Sequence, residues 1–74
     1  MATSVNAHIT GTVWKIEVKV GDAVQEGQTV VILESMKMEM PVESPAAGKV
    51  TAVLVKEGQP VEEGAPLIDM TREP

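Results

Sequence analysis

The chain has 74 residues, of which 43% are hydrophobic, and it carries a net charge of −5 at pH 7. We predict one small domain over residues 1–74, with an aliphatic core because Trp14 is the only aromatic residue. The absence of cysteine excludes disulfides and thiolate metal sites, and the acidic balance argues against nucleic-acid binding. No apolar run is long enough for a membrane span, and residues 1–6 do not resemble a signal peptide, so we expect a cytoplasmic protein.

The first clear element is a strand over residues 13–20, in which charged and apolar residues alternate strictly from Lys15 on. The alternation is expected to place Ile16, Val18 and Val20 on one face. Trp14, immediately before the alternation, is expected in the core. The next apolar run, at residues 30–33, predicts a short strand that is covered on both sides.

The following segment places one lysine, Lys37, between Met36 and Met38. If Met36 and Lys37 form a two-residue turn, odd positions before the turn share a face with even positions after it. The apolar residues obey this rule, because one face then carries Val31, Leu33, Met40 and Val42. Glu34 and Glu39 fall together on the other face. We therefore predict a β-hairpin with a Met-Lys tip, which is a poor turn by local rules and so indicates a functional site.

The second half of the chain repeats the first at a constant offset of 37 residues. Residues 11–33 align without gaps with residues 48–70, for example Gly11-Thr12-Val13 with Gly48-Lys49-Val50. This pattern predicts two similar half-units with quasi-two-fold symmetry, joined by the segment that carries Lys37. Because no helical periodicity persists, we predict an all-β fold, a flattened barrel or sandwich of short strands.

The residues do not form a recognisable catalytic constellation. His8 is the only histidine and is expected to be hydrogen-bonded or solvated, not catalytic, and Met70 is expected in the core. Glu34 and Glu39 would suit acid–base chemistry only if water were excluded, which a hairpin tip does not do. We therefore predict no catalytic residue and no metal site. The chain is interpreted as the substrate of another enzyme, with Lys37 as the acceptor.

The segment Glu34-Ser35-Met36-Lys37-Met38-Glu39 resembles the biotinylation motif of the biotinyl/lipoyl-attachment family. The resemblance extends over roughly Val5 to Met70 and includes turns such as Val20-Gly21-Asp22-Ala23-Val24. The chain is similar to the short stand-alone biotin/lipoyl attachment proteins of bacteria, of the biotin carboxyl carrier type. The resemblance implies two four-stranded antiparallel sheets in a flattened barrel, with the target lysine on an exposed hairpin.

By this resemblance, Lys37 receives biotin through an amide bond that a biotin protein ligase makes from biotinyl-AMP. The positions expected to be recognised by the ligase are Glu34, Met36, Met38 and Glu39. The resemblance further implies a non-catalytic carrier that takes carboxybiotin from a biotin carboxylase to a carboxyltransferase. We expect a monomer that binds neither nucleic acid nor membranes.

Two other functions share the implied fold. Lipoyl domains carry lipoate on the equivalent lysine, which usually follows an acidic residue. Met36 occupies that place here, which favours biotin, with lipoate as the alternative on the same lysine. The lipoyl-like adaptors of membrane-fusion proteins carry a long helical hairpin at the equivalent tip, and two residues leave no space for one.

Overall fold

A computed structural model describes residues 2–72, and this part of the chain folds entirely as strands, turns and loops. The eight strands are β1 (Ala2–Asn6), β2 (Gly11–Ile16), β3 (Ala23–Val24), β4 (Thr29–Ser35), β5 (Met38–Glu43), β6 (Gly48–Val53), β7 (Pro60–Val61) and β8 (Pro66–Arg72). Within the described range, no helix has the length and apolar character needed to cross a membrane.

The strands form two four-stranded sheets in which every observed pairing is antiparallel. The hairpin sheet has the order β5-β4-β2-β7, and the terminal sheet has the order β1-β8-β6-β3. Their inner faces pack together on an aliphatic core, with Val13, Leu33 and Met70 fully buried. The predicted all-β sandwich of two four-stranded antiparallel sheets is confirmed, as is the core position of Met70.

The two sheets are related by the 37-residue offset, which confirms the quasi-two-fold symmetry. β2 is bulged at Trp14 against β4, and β6 is bulged at Thr51 against β8, 37 residues later. The turn glycines Gly21 and Gly58 have φ of 96° and 89°, a conformation that costs glycine little. Loop hydrogen bonds repeat as well: the Gly21 N–H donates to the Val50 carbonyl at 2.8 Å and the Gly58 N–H to the Val13 carbonyl at 2.7 Å.

Two expectations for this region are wrong, the continuous strand through Val20 and the core position of Trp14. β2 ends at Ile16, so the chain has left the strand before Val20, which is 61% exposed. Trp14 is 46% exposed because the bulge after Val13 shifts the alternation, so Trp14 no longer shares the face of Ile16. In a bulge two residues oppose one on the partner strand, and here Trp14 and Lys15 both oppose Ile32.

The expectation that residues 30–33 are covered on both sides holds only in part. Val30, Val31 and Leu33 are fully buried, while Ile32 remains partly exposed. The irregular register between Thr29 and Val31 allows two successive valines to be buried. The outer side of β4 is therefore open to solvent at Ile32.

Candidate functional site at the hairpin tip

The predicted β4–β5 hairpin is observed, with the predicted register. Ser35 pairs with Met38, Leu33 with Met40, and Val31 with Val42, which leaves Met36 and Lys37 as the two turn residues. The register follows from the apolar pattern, because a slip of one residue would expose the buried side chains Val31, Leu33 and Val42. The buried ends of the hairpin therefore determine which residues form its tip.

The backbone at the tip is strained. Met36 and Lys37 have φ of 53° and 65°, and they are the only non-glycine residues with positive φ in the described part of the chain. A two-residue hairpin of type I′ requires positive φ at both central positions, and this conformation costs an L-residue on the order of 1–2 kcal/mol. Glycine or asparagine would adopt it more readily. Met36 and Lys37 both carry this conformational cost. Backbone strain of this kind is concentrated at functional sites.

The side chains at the tip face solvent. Met36 is 91% exposed and Met38 is 61% exposed, although methionine is usually buried. Lys37 is also exposed, and across residues 2–72 its ammonium makes no ion pair. The tip therefore presents an accessible amine between two exposed thioether side chains.

Glu34 and Glu39 lie one residue pair behind Ser35 and Met38, directly opposite each other and both exposed. Like charges at directly opposed positions of an antiparallel pair are destabilising. The two carboxylates are exposed on the outer face of the hairpin. Their arrangement provides a negative surface near the lysine.

Gly11 packs against the hairpin just behind its tip, a role that sequence reasoning missed. A Cβ at this position would lie 2.6 Å from the Glu34 carbonyl oxygen, so only glycine lets β2 approach β4 there. The signal was present in the repeat, because Gly48 occupies the equivalent position and has the equivalent conflict with the Thr71 carbonyl. Glycine at both sites is therefore a packing requirement of the sandwich.

The hairpin tip is exposed, and an open groove in the described part of the chain lies elsewhere. This open groove of about 460 Å³ runs between β1 and β5 and is lined also by His8 and Pro45. Neither Lys37 nor the flanking methionines contribute to it. The exposed tip is thus accessible to another protein.

The fold and the tip together define a class, namely a small β-sandwich domain that presents one lysine on a strained two-residue turn. The family described as "Biotin-requiring enzyme", which covers biotin and lipoyl attachment, matches residues 1–70. The chain belongs to this biotin/lipoyl family.

Two relatives and one solved structure illustrate the similarity. The chain is 44% identical over 68 residues to the biotin/lipoyl attachment protein of Bacillus subtilis (strain 168), covering 92% of this chain and 93% of that protein. It is 47% identical over 64 residues to the biotin carboxyl carrier protein of acetyl-CoA carboxylase of Solanum lycopersicum, covering 86% and 91%. The crystal structure of Kluyveromyces lactis urea carboxylase matches with a TM-score of 0.90 and 38% identity.

The lengths of these matches differ. The chain spans nearly all of the two short relatives, but its match to the urea carboxylase covers 96% of this chain and 6% of that one. The resemblance to the short stand-alone attachment proteins is therefore confirmed.

Proposed function

We propose that this chain is a biotin carboxyl carrier domain and that Lys37 is the residue to which biotin is attached. The observation that carries the proposal is the strained turn, which holds Lys37 exposed and unpaired within the described residues. The names of the short relatives, a biotin/lipoyl attachment protein and a biotin carboxyl carrier protein, support the same assignment.

The residues at the tip fit covalent attachment. Amide formation requires the Lys37 Nζ to lose its proton and attack an activated carboxyl group, which releases the activating group and removes one positive charge. Nothing in the described structure would be disrupted by that loss, because the ammonium has no ion-pair partner there. When bound, biotin would hold a carboxyl group during its transfer between the two active sites of a biotin-dependent carboxylase.

The protein's own contribution is presentation and tethering. The sandwich fixes the tip while the lysine side chain remains mobile, and a tether raises the effective concentration of the attached group at both active sites. The described residues provide no enclosed site for chemistry, so we assign the domain a non-catalytic role. In this proposal residues 1–74 act as one attachment domain, monomeric and cytoplasmic.

The proposed partners are a biotin protein ligase, a biotin carboxylase and a carboxyltransferase. We assign ligase recognition to four exposed residues around Lys37, namely Glu34, Met36, Met38 and Glu39. The two methionines offer flexible apolar contacts, and burying them against a ligase would be favourable. The two glutamates offer charge complementarity to a basic surface.

Lipoate is the second candidate for the same lysine. It is supported by the relative in Bacillus subtilis, whose name includes both groups and which is 44% identical to this chain. The apolar Met36 directly before the lysine favours a ligase with an apolar contact at that position.

Intact-mass measurement after incubation with ligase tests the proposal. Purified protein is treated with biotin protein ligase, biotin and ATP, and in parallel with lipoate ligase, lipoate and ATP. We expect the addition of one biotinyl group, located on Lys37 by peptide mapping, and slower or no lipoylation. Modification of Lys37→Arg would overturn the assignment, while Lys49→Arg is the matched control because Lys49 is an exposed strand lysine.

The carrier role needs a second measurement. The biotinylated protein is supplied to a biotin carboxylase with ATP and labelled bicarbonate, and label on the protein is measured. We expect label on the wild type and none on Lys37→Arg. Biotinylated protein that accepts no label would refute the carrier role while leaving the attachment site intact.

A further inference from the structure

The outer face of the hairpin sheet carries an apolar row that the fold does not explain. Val13, Leu33 and Val42 point into the core, so their alternating neighbours point outward. The outer row consists of Trp14, Ile32 and Pro41, three residues that the register places side by side across β2, β4 and β5. Trp14 is 46% exposed, Pro41 is exposed and Ile32 is partly exposed.

The terminal sheet shows that this row is not needed for folding. The counterpart row, 37 residues away, consists of Thr51, Asp69 and Ser4. It has the same bulge and the same pairing, yet all three residues are polar, and the Ser4 Oγ donates a hydrogen bond to Asp69 Oδ1 at 2.9 Å. The same backbone thus accepts a polar row, and the apolar one is a property of the hairpin sheet alone.

The charges around the outer row differ between the sheets in the same way. The outer row is flanked by the exposed carboxylates Glu17, Glu34, Glu39 and Glu43. The residues at the equivalent positions around the counterpart row are uncharged, namely Leu54, Thr71, Ala2 and Asn6. Lys15, which opposes Ile32 together with Trp14, is paired with Glu17 at 3.5 Å. An apolar centre with an acidic rim is complementary to a protein surface with an apolar centre and a Lys/Arg rim.

We propose that the outer row with its acidic rim is a docking surface for the ligase that modifies Lys37. This inference rests on the proposed function and extends the recognition site from the tip to the body of the domain. Trp14 is the expected anchor, because tryptophan at the centre of an interface contributes disproportionately to binding. Glu34 and Glu39 connect the outer row to the tip, since they occupy the intervening row.

Geometry favours the ligase over the carboxylase enzymes as the occupant. Ile32 lies three residues before Ser35 at the end of β4, a distance of about 10 Å at ~3.3 Å per residue. An enzyme that forms a bond to the lysine Nζ must admit the lysine into its active site. The domain surface within about 10 Å of the tip, which includes the outer row, then contacts that enzyme. An enzyme that acts on the distal end of a long tethered group has no such requirement.

Steady-state biotinylation kinetics test the proposal. Trp14→Thr, which installs the residue found at position 51, is compared with wild type using biotin protein ligase, biotin and ATP. We expect KM for the protein to rise about tenfold with kcat unchanged, because docking is weakened while the tip is intact. Leu54→Thr is the matched control, since Leu54 is 45% exposed and lies outside the outer row, and its KM should stay within about twofold of wild type.

A second variant tests the docking surface independently, in case Trp14→Thr does not fold. Glu43→Gln removes one rim charge at an exposed position, and we expect it to raise KM and to weaken the dependence of KM on salt. Thermal unfolding checks that each variant is folded. If Trp14→Thr is unfolded, Glu43→Gln decides the matter.

The outcomes separate the two levels of the proposal. A wild-type protein that is not biotinylated at Lys37 refutes the proposed function itself. Normal biotinylation at Lys37 with an unchanged KM in folded Trp14→Thr and Glu43→Gln refutes the docking surface alone. Normal ligase kinetics with slow carboxylation by biotin carboxylase would assign the surface to that enzyme and would also refute the proposal.

Discussion

The hairpin sheet and the terminal sheet share their strands, bulges and turn glycines at positions 37 residues apart, yet their outer faces carry different residues. Buried positions are alike in both, as with Val13 and Val50 or Leu33 and Met70. The outer positions diverge, with Trp14 in one sheet where Thr51 stands in the other. Positions that are alike in both sheets are required by the sandwich fold. Positions that differ serve a purpose of the hairpin sheet alone. The apolar outer row, the rim of glutamates and the strained turn are features of the hairpin sheet alone.

The largest effect is expected from exchanging the two tip residues. Met36→Lys combined with Lys37→Met leaves composition and charge unchanged and moves the amine by one position. The register is held by Val31, Leu33 and Val42, so the backbone should stay in place while the amine points elsewhere. Because a ligase needs its substrate amine placed to within about 0.5 Å, we expect nearly complete loss of biotinylation.

Intact mass after ligase treatment measures this loss, and circular dichroism checks that the exchanged protein is folded. Lys37→Arg sets the level of complete loss. Biotinylation of the folded, exchanged protein at the wild-type rate would show that a ligase reads the local sequence without regard to the position of the lysine.

The next largest effect concerns the core, where the two halves are expected to behave alike. Leu33→Ala and Met70→Ala each remove a fully buried side chain from equivalent strands, β4 and β8. Each should lower the free energy of unfolding by about 2–5 kcal/mol, through lost burial and the cavity left behind. Urea denaturation monitored by circular dichroism gives both values. Losses that differ by more than about 2 kcal/mol would show that the symmetry of the backbone does not extend to packing energy.

Most of the fold and the tip could be predicted from the sequence because both follow from periodic patterns. The parity of apolar residues around Met36 and Lys37 determined the hairpin register, and the constant offset determined the symmetry. Trp14 was misassigned because a bulge interrupts the alternation without leaving a signal in hydrophobicity alone. The equivalence of Trp14 with Thr51 was available in the repeat, and a core position would not be filled by threonine in one half and tryptophan in the other.

Two equivalent turn glycines, one in each half of the chain, allow the stability of the two halves to be compared with smaller expected losses. Gly21→Ala and Gly58→Ala place an L-residue at φ of 96° and 89°, and at both positions an added Cβ would meet no atom within 4 Å. The cost is therefore conformational and not steric, and we expect each variant to lose about 1–2 kcal/mol. Thermal unfolding of both variants tests whether the losses are equal. Gly48→Ala should be worse than either, because there the Cβ would collide with the Thr71 carbonyl.

The smallest change in the free energy of unfolding is expected at the tip, where an increase and not a decrease is predicted. Met36 has a φ of 53°, which asparagine adopts at lower cost than methionine. Met36→Asn should therefore raise the free energy of unfolding by about 0.5–1 kcal/mol, a gain typical of relieved backbone strain at a functional position. The same substitution removes an apolar side chain that we assign to ligase recognition, so biotinylation should slow. Stability and modification would then change in opposite directions.

Met38→Asn provides the control for the Met36 substitution. Met38 is also exposed but lies in β5, where asparagine is disfavoured, so this variant should not gain stability. Denaturant unfolding and ligase kinetics on both variants give the required pairs of values. A Met36→Asn protein that is no more stable than wild type would mean that methionine occupies the positive-φ turn without measurable cost. The tip would then differ from an ordinary surface turn only in its exposed side chains, and backbone strain would no longer count as evidence for its function.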